Sequence, residues 1–234
     1  MATHTSPHPN EIHRSHRGNW LSAGVLGVND GIVSTSSIML GVTAANADYK
    51  IILTTGIAAM VAGAFSMAAG EYVAIASQKD AQRADIEIEK RALINNPEGE
   101  LRELADIYES RGLTPELAKE VANQLHKKNA VDAHARDELG INSRMKVNPL
   151  QAGITSGLAF VGGSLIPILA AIIATNHDAW IIVIVSLIAL AISGTAGASI
   201  GGGNKLVGTL RVLVGSGLAM AVTYLIGHLV GAHL

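Results

Sequence analysis

Apolar residues fall into five runs long enough to cross a bilayer, and nearly all the charge is collected between the second run and the third. The runs are Trp20–Ala45, Ile51–Ser77, Pro149–Ala174, Ala179–Ile200 and Leu206–Val230. Each meets the need for about 20 mostly apolar residues to cross roughly 30 Å of hydrocarbon. Short polar hinges, Asn46–Lys50 and Asn176–Asp178, separate neighbouring runs. The charged block is itself helical in pattern. No Gly or Pro interrupts Glu71 through Asn95, so the second span is expected to run on into water as one rod; Ile51–Ile94 would measure about 65 Å. Asn96-Pro97-Glu98 then reads as an N-cap, a first-turn Pro and an acidic first turn, opening a helix that stops near Gly112. Thr114-Pro115-Glu116 repeats the signal for a helix reaching about Leu139, with Gly140 as its stop. Leu101, Leu104, Ile107, Leu117, Val121 and Leu125 recur at helical spacing and are expected to form the core of this block.

The pattern predicts an all-α chain: a five-span transmembrane helical bundle with a three-helix cytosolic subdomain inserted between spans 2 and 3. Residues 1–18 read as a disordered, His-rich cytosolic tail, 19–77 as spans 1 and 2, 78–146 as the cytosolic helical domain, and 147–234 as spans 3 to 5. Basic residues orient it. Arg14, Arg17, Lys79, Arg83, Arg144, Lys146, Lys205 and Arg211 fall on one side against Lys50 on the other. The basic side is the cytoplasmic one, which leaves the C-terminus outside. Small residues at four-residue spacing, Gly27/Gly31, Ala62/Ser66/Gly70 and Gly153/Gly157, suit close helix packing. Pro167 inside the third span is expected to kink it.

Composition narrows the chemistry. Charged residues make up 15% of the chain, against roughly 25% in ordinary globular proteins, and the mean hydropathy is +0.34. There is no cysteine, which excludes a disulfide framework and any thiolate metal site. Metal must be held by oxygen, imidazole or thioether. The ionisable groups within the spans are Asp30, Glu71, Arg211 and His228. A carboxylate at mid-membrane costs at least about 2.5 kcal/mol on insertion scales, so it is expected to face a cavity, a partner or an ion. Asp30 has Asn29 and Gly31 beside it and Ser34 one turn on; the structural alternative is a pair with Arg211. Met67 and Glu71, four apart, converge a thioether and a carboxylate that suit a borderline-soft ion such as Fe²⁺. In the charged block Asp85/Glu89, Glu100/Glu103 and His134/Glu138 each share a helix face, a solvated acidic surface being the alternative. His4, His8, His13 and His16 belong to the tail. The chain has no Glu-x-x-His, which argues against di-iron oxygen chemistry. It offers no nucleophile–base constellation and no nucleotide-binding signature, so no enzyme is expected. No prosthetic group or nucleic-acid partner is expected either.

At these residues the chain resembles the vacuolar iron transporter (VIT) family in its bacterial form. The likeness rests on Gly27-Val28-Asn29-Asp30-Gly31-Ile32-Val33-Ser34, on residues Ala62 to Tyr72 (AGAFSMAAGEY), and on residues Ala133 to Ile141 (AHARDELGI). It implies a homodimeric five-span transporter exchanging Fe²⁺ or Mn²⁺ for protons, with the path at the dimer interface and the protein in a bacterial plasma membrane. Asp30 and Met67 match residues that line the path, and Glu89, Glu100, Glu103 and Glu138 match cytosolic ligands that make the charged block a metal-binding domain. A further family Glu falls on Ala92, a Met-Met pair on His134-Ala135, and a second-span Glu on Ala59, while Glu71 stands where plant members have Gly. His134 is expected to replace the thioether and Glu71 the missing carboxylate. The rival reading is a membrane-anchored metal buffer or sensor without transport.

Overall fold

The computed structural model describes residues 19–141, 148–174 and 179–233, with side chains from residue 24 onward. The amino-terminal tail with its four histidines, Arg14, Arg17, Arg144, Lys146 and the Asn176–Asp178 hinge lie outside the described residues. Among the described residues there are seven helices and no strand: α1 (Asn19–Ala44), α2 (Tyr49–Asn95), α3 (Pro97–Ser110), α4 (Pro115–Asp137), α5 (Pro149–Ile173), α6 (Ala179–Gly201) and α7 (Lys205–Gly231). They divide into two compact units, one of Met1–Glu71 with Leu150–Leu234 and one of Tyr72–Pro149. Helix α2 contributes to both.

The first unit holds the apolar helices. Five helices, α1, α2, α5, α6 and α7, are long and apolar enough to span a membrane, with mean hydropathies from 1.3 to 2.4. Its buried centre is Ile32, Met39, Leu40, Ile52, Ile168, Ala171, Ile182, Leu190 and Met220. Large apolar side chains also cover the outside: Phe65 is 75% exposed, Trp180 74% and Ile192 65%. Such a surface is unsuited to water and matches lipid. The bundle is an integral membrane protein.

Without a hydrophobic drive between helices in lipid, close backbone approach and polar contacts must hold the bundle together. Both are present. A Cβ at Gly31 would run into the Phe160 carbonyl of α5, and one at Gly163 into the Val28 carbonyl of α1. The contact is cemented by Thr35 Oγ1 donating to Ser164 Oγ at 2.9 Å and by Ser164 Oγ donating to the Gly31 carbonyl at 3.2 Å. Gly157 likewise abuts Ala64 and Ala68 of α2, whereas Gly70 faces open space. Pro167 is buried inside α5, which remains one helix.

The second unit follows its caps. Asn96 accepts from Gly99 N–H at 3.1 Å and starts α3, with Pro97 in the first turn; Thr114 does the same for α4 through Leu117 N–H at 3.4 Å. Leu104, Ala105, Ala122 and Ala133 form the core, with Leu101, Tyr108 and Leu125 packed on it. Leu117, expected in the core, is 52% exposed. The continuous third helix expected here is in fact two. Asn129 is extended (φ −169°, ψ 95°), and its side chain accepts from Asp132 N–H at 3.1 Å, which restarts the helix as an N-cap. The helix ends at Asp137, shortly before Gly140, whose φ of +66° suits a residue without Cβ, while Ile141 N–H returns to the Ala135 carbonyl at 2.6 Å.

Candidate metal centre

The restart at Asn129 and the stop before Gly140 fix a short helical segment in which Ala133, His134 and Ala135 are all buried. The two small alanines let the segment sink against its neighbours, and His134 is fully enclosed. Three carboxylates meet its Nδ1: Glu89 of α2 at 3.1 Å, Glu138 one turn on at 3.1 Å and Glu100 of α3 at 3.9 Å. Glu138 is hydrogen-bonded to the ring, whereas Glu89 Oε1 lies close but out of line and has no hydrogen-bond partner. One ligand atom from each of these four residues falls within 4.8 Å of all the others. Opposed donors around an ion with bonds of about 2.1 Å stand about 4.2 Å apart, so a small inward closure completes a shell.

The electrostatics favour a cation. Among the described residues no Lys or Arg lies within ion-pair distance of Glu89, Glu100 or Glu138. Burial raises the Glu89 carboxyl above its ordinary value and the nearby Glu138 charge adds to this, against partial relief from His134. Glu103, although exposed, is raised in the same way, by partial desolvation and then by Glu138 and Glu100. These groups stabilise one another only through something positive placed among them. Three carboxylates and an imidazole combine donors preferred by Mn²⁺ with one preferred by Fe²⁺ and Zn²⁺.

Asp137, beside the cluster in sequence, has the opposite role. It accepts from Tyr108 Oη and Arg111 Nη1, both at 2.8 Å, while Arg111 Nη2 reaches the Asp137 carbonyl at 2.9 Å. Arg136 adds an ion pair, and the Arg111 guanidinium lies over the Tyr108 ring. Burial acts to raise its carboxyl, yet the hydrogen bonds from Arg136, Arg111 and Tyr108 outweigh it and hold the group at about 2. This clamp ties the end of α3 to the end of α4 and so positions His134 and Glu138.

Of the residues singled out in the sequence, Glu89, Glu100, His134 and Glu138 come together; Glu103 is exposed and lies outside the group of four, and Asp85 is exposed on α2. Asp30, Met67 and Glu71 lie on α1 and α2 in the first unit, each partly buried. Asp30 accepts from Ser34 Oγ at 2.8 Å. Among the described residues neither Asp30 nor Glu71 has a basic side chain at ion-pair distance, so the pairing of Asp30 with Arg211 does not occur. Arg211 is exposed and lines a cavity with Asn29, Asn204 and several glycines of α6. His228 is exposed near the end of α7. Asn129 and Asp137 escaped the sequence reading: an Asn amid helix formers is a weak signal, and partners 26 and 29 residues away leave none.

Five membrane-length helices joined to a partly buried acidic and imidazole cluster define an integral membrane protein with a candidate site for a divalent cation. The model of the VIT family matches residues 21–228, and the chain belongs to that family. It is 46% identical over 230 residues to the "Vacuolar iron transporter" of Acanthamoeba castellanii, covering 94% of this chain and 82% of the relative. It is 37% identical over 222 residues to "Vacuolar iron transporter homolog 4" and 34% identical over 221 residues to "Vacuolar iron transporter homolog 2", both of Arabidopsis thaliana. Each match covers 94% of this chain and 88% of the relative.

Proposed function

We propose that the chain is a transporter that exports Fe²⁺ or Mn²⁺ from the cytosol in exchange for protons, acting as a homodimer. The observation that carries this reading is the cluster of Glu89, Glu100, His134 and Glu138, built on the buried Glu89 and His134 and open at Glu138, which holds three carboxylates without a Lys or Arg partner among the described residues. The relatives' names, which speak of iron transport, supply the cargo class. On this reading residues 78–146 form a cytosolic capture domain and Glu103 an outer acid that draws the hydrated ion in. On the same reading the N-terminus is cytosolic and the C-terminus outside, in line with the bias of the basic flanks. The relatives' names point to a vacuole, while the bacterial pattern of motifs points to a plasma membrane; export from the cytosol is common to both.

Release from capture delivers the ion to Asp30, Met67 and Glu71. Two uncompensated carboxylates within apolar helices are costly unless a passing cation or proton neutralises them. Protonation from the far side then weakens binding and expels the ion, so that proton exchange needs no separate machinery. Flux of Fe²⁺ or Mn²⁺ in proteoliposomes under a pH gradient tests the assignment. Asp30→Ala and Glu71→Ala, expressed normally, are expected to abolish it; undiminished flux removes them from the path.

A further inference from the structure

His126 takes no part in the cluster of four, yet its Nδ1 is buried without a hydrogen-bond partner. The same is true of Nε2 of His134, the ring nitrogen that does not face the carboxylates. The break at Asn129 brings these two rings together although they stand eight positions apart in the sequence. Their centroids are 6.2 Å apart and their planes cross at 79°, an edge-on arrangement rather than a stack. Two buried, unsatisfied nitrogens thus belong to two adjacent rings. Each carries a desolvation cost if left unpaired.

Metal capture makes the two complementary. An imidazole binds a cation through the lone pair of one nitrogen and keeps its proton on the other. When Nδ1 of His134 joins the three carboxylates around an ion, its proton must sit on Nε2, inside the protein. Metal-bound histidines nearly always donate this second N–H to an acceptor, which fixes the ring and raises its basicity. We propose that His126 is that acceptor: its Nδ1 receives the His134 Nε2–H through one water, making His126 a positioning residue for the capture site. A direct N–H···N bond needs about 2.9 Å between nitrogens, about 1 Å closer than the centroid separation of 6.2 Å allows even with the two nitrogens aimed at each other, so a single water makes the link. The inference rests on the capture reading above and adds to it a residue that touches no ion.

The test uses the full-length protein in detergent, with Mn²⁺ as probe and free Mn²⁺ followed by electron paramagnetic resonance. His126→Phe keeps a ring and removes the acceptor; affinity is expected to fall roughly tenfold to a hundredfold. His126→Gln restores an acceptor and is expected to recover most of that loss. Because His126 acts through His134, His126→Phe combined with His134→Ala should bind no more weakly than His134→Ala alone. Wild-type affinity in His126→Phe, an equal loss in His126→Gln, or additive losses in the double variant would each overturn the proposal. A wild-type protein that binds no Mn²⁺ would instead overturn the capture reading on which it rests.

Discussion

On the proposed reading, Glu89 is a side chain that serves capture at the expense of stability. It is 5% exposed and faces other acids, and a carboxyl raised above its ordinary value in the folded state penalises folding at neutral pH. The penalty is relieved as the pH falls through the raised value, and also by a bound cation. Glu89→Gln is therefore expected to stabilise the metal-free second unit at neutral pH while weakening Mn²⁺ binding by tenfold or more, about 1.4 kcal/mol. Thermal melting and metal titration on the same sample check both signs. In the wild type, affinity should fall on acidification through the raised range of Glu89, because protons and metal compete for the same oxygens. Asp137 behaves oppositely. Its folded value of about 2 lies below its ordinary 3.8, so its contribution is complete above the ordinary value and lost as the pH falls through the folded one. Asp137→Asn is expected to cost about 2 kcal/mol at neutral pH, read by hydrogen exchange in α3 and α4, with the difference vanishing in strong acid.

At the level of elements, local signals account for what could be read in advance. The apolar runs are period-independent and long, so α1, α2, α5, α6 and α7 were expected close to their observed ends. Asn96-Pro97, Thr114-Pro115 and Gly140 act through their own backbone and needed no tertiary information. Asn129 breaks α4 without Gly or Pro and between residues that favour helix, so its effect depends on what packs around it. The same break brings His126 to His134, a pairing invisible at a spacing of eight in a straight helix. The acids were legible as ligand pairs on separate helices, but which of them meet depended on how α3 and α4 pack on the end of α2. Hence Glu89 and Glu100 join His134 and Glu138, and Glu103 does not. Two substitutions test the elements themselves. Asn129→Ala should cost about 1 kcal/mol by removing an N-cap and loosen metal binding by displacing His134. Gly31→Leu should prevent α1 from seating on α5 and abolish the folded bundle, seen as loss of monodisperse protein in detergent.

On the proposed reading of the whole molecule, a capture site outside the bilayer supplies metal to acids within it. The helices that cross the membrane carry apolar side chains outward, and Asp30 and Glu71 interrupt that pattern with charge that no described cation offsets. A buffer or sensor would use the cluster of Glu89, Glu100, His134 and Glu138 equally well but would gain nothing from acids in its anchor. Movement of metal, and not only its retention, separates the two. The most direct measurement follows metal and internal pH together in proteoliposomes of the wild-type protein given Fe²⁺ or Mn²⁺ under a proton gradient. The account predicts metal flux accompanied by proton movement in the opposite direction. Stoichiometric metal binding with neither flux nor pH change would contradict it.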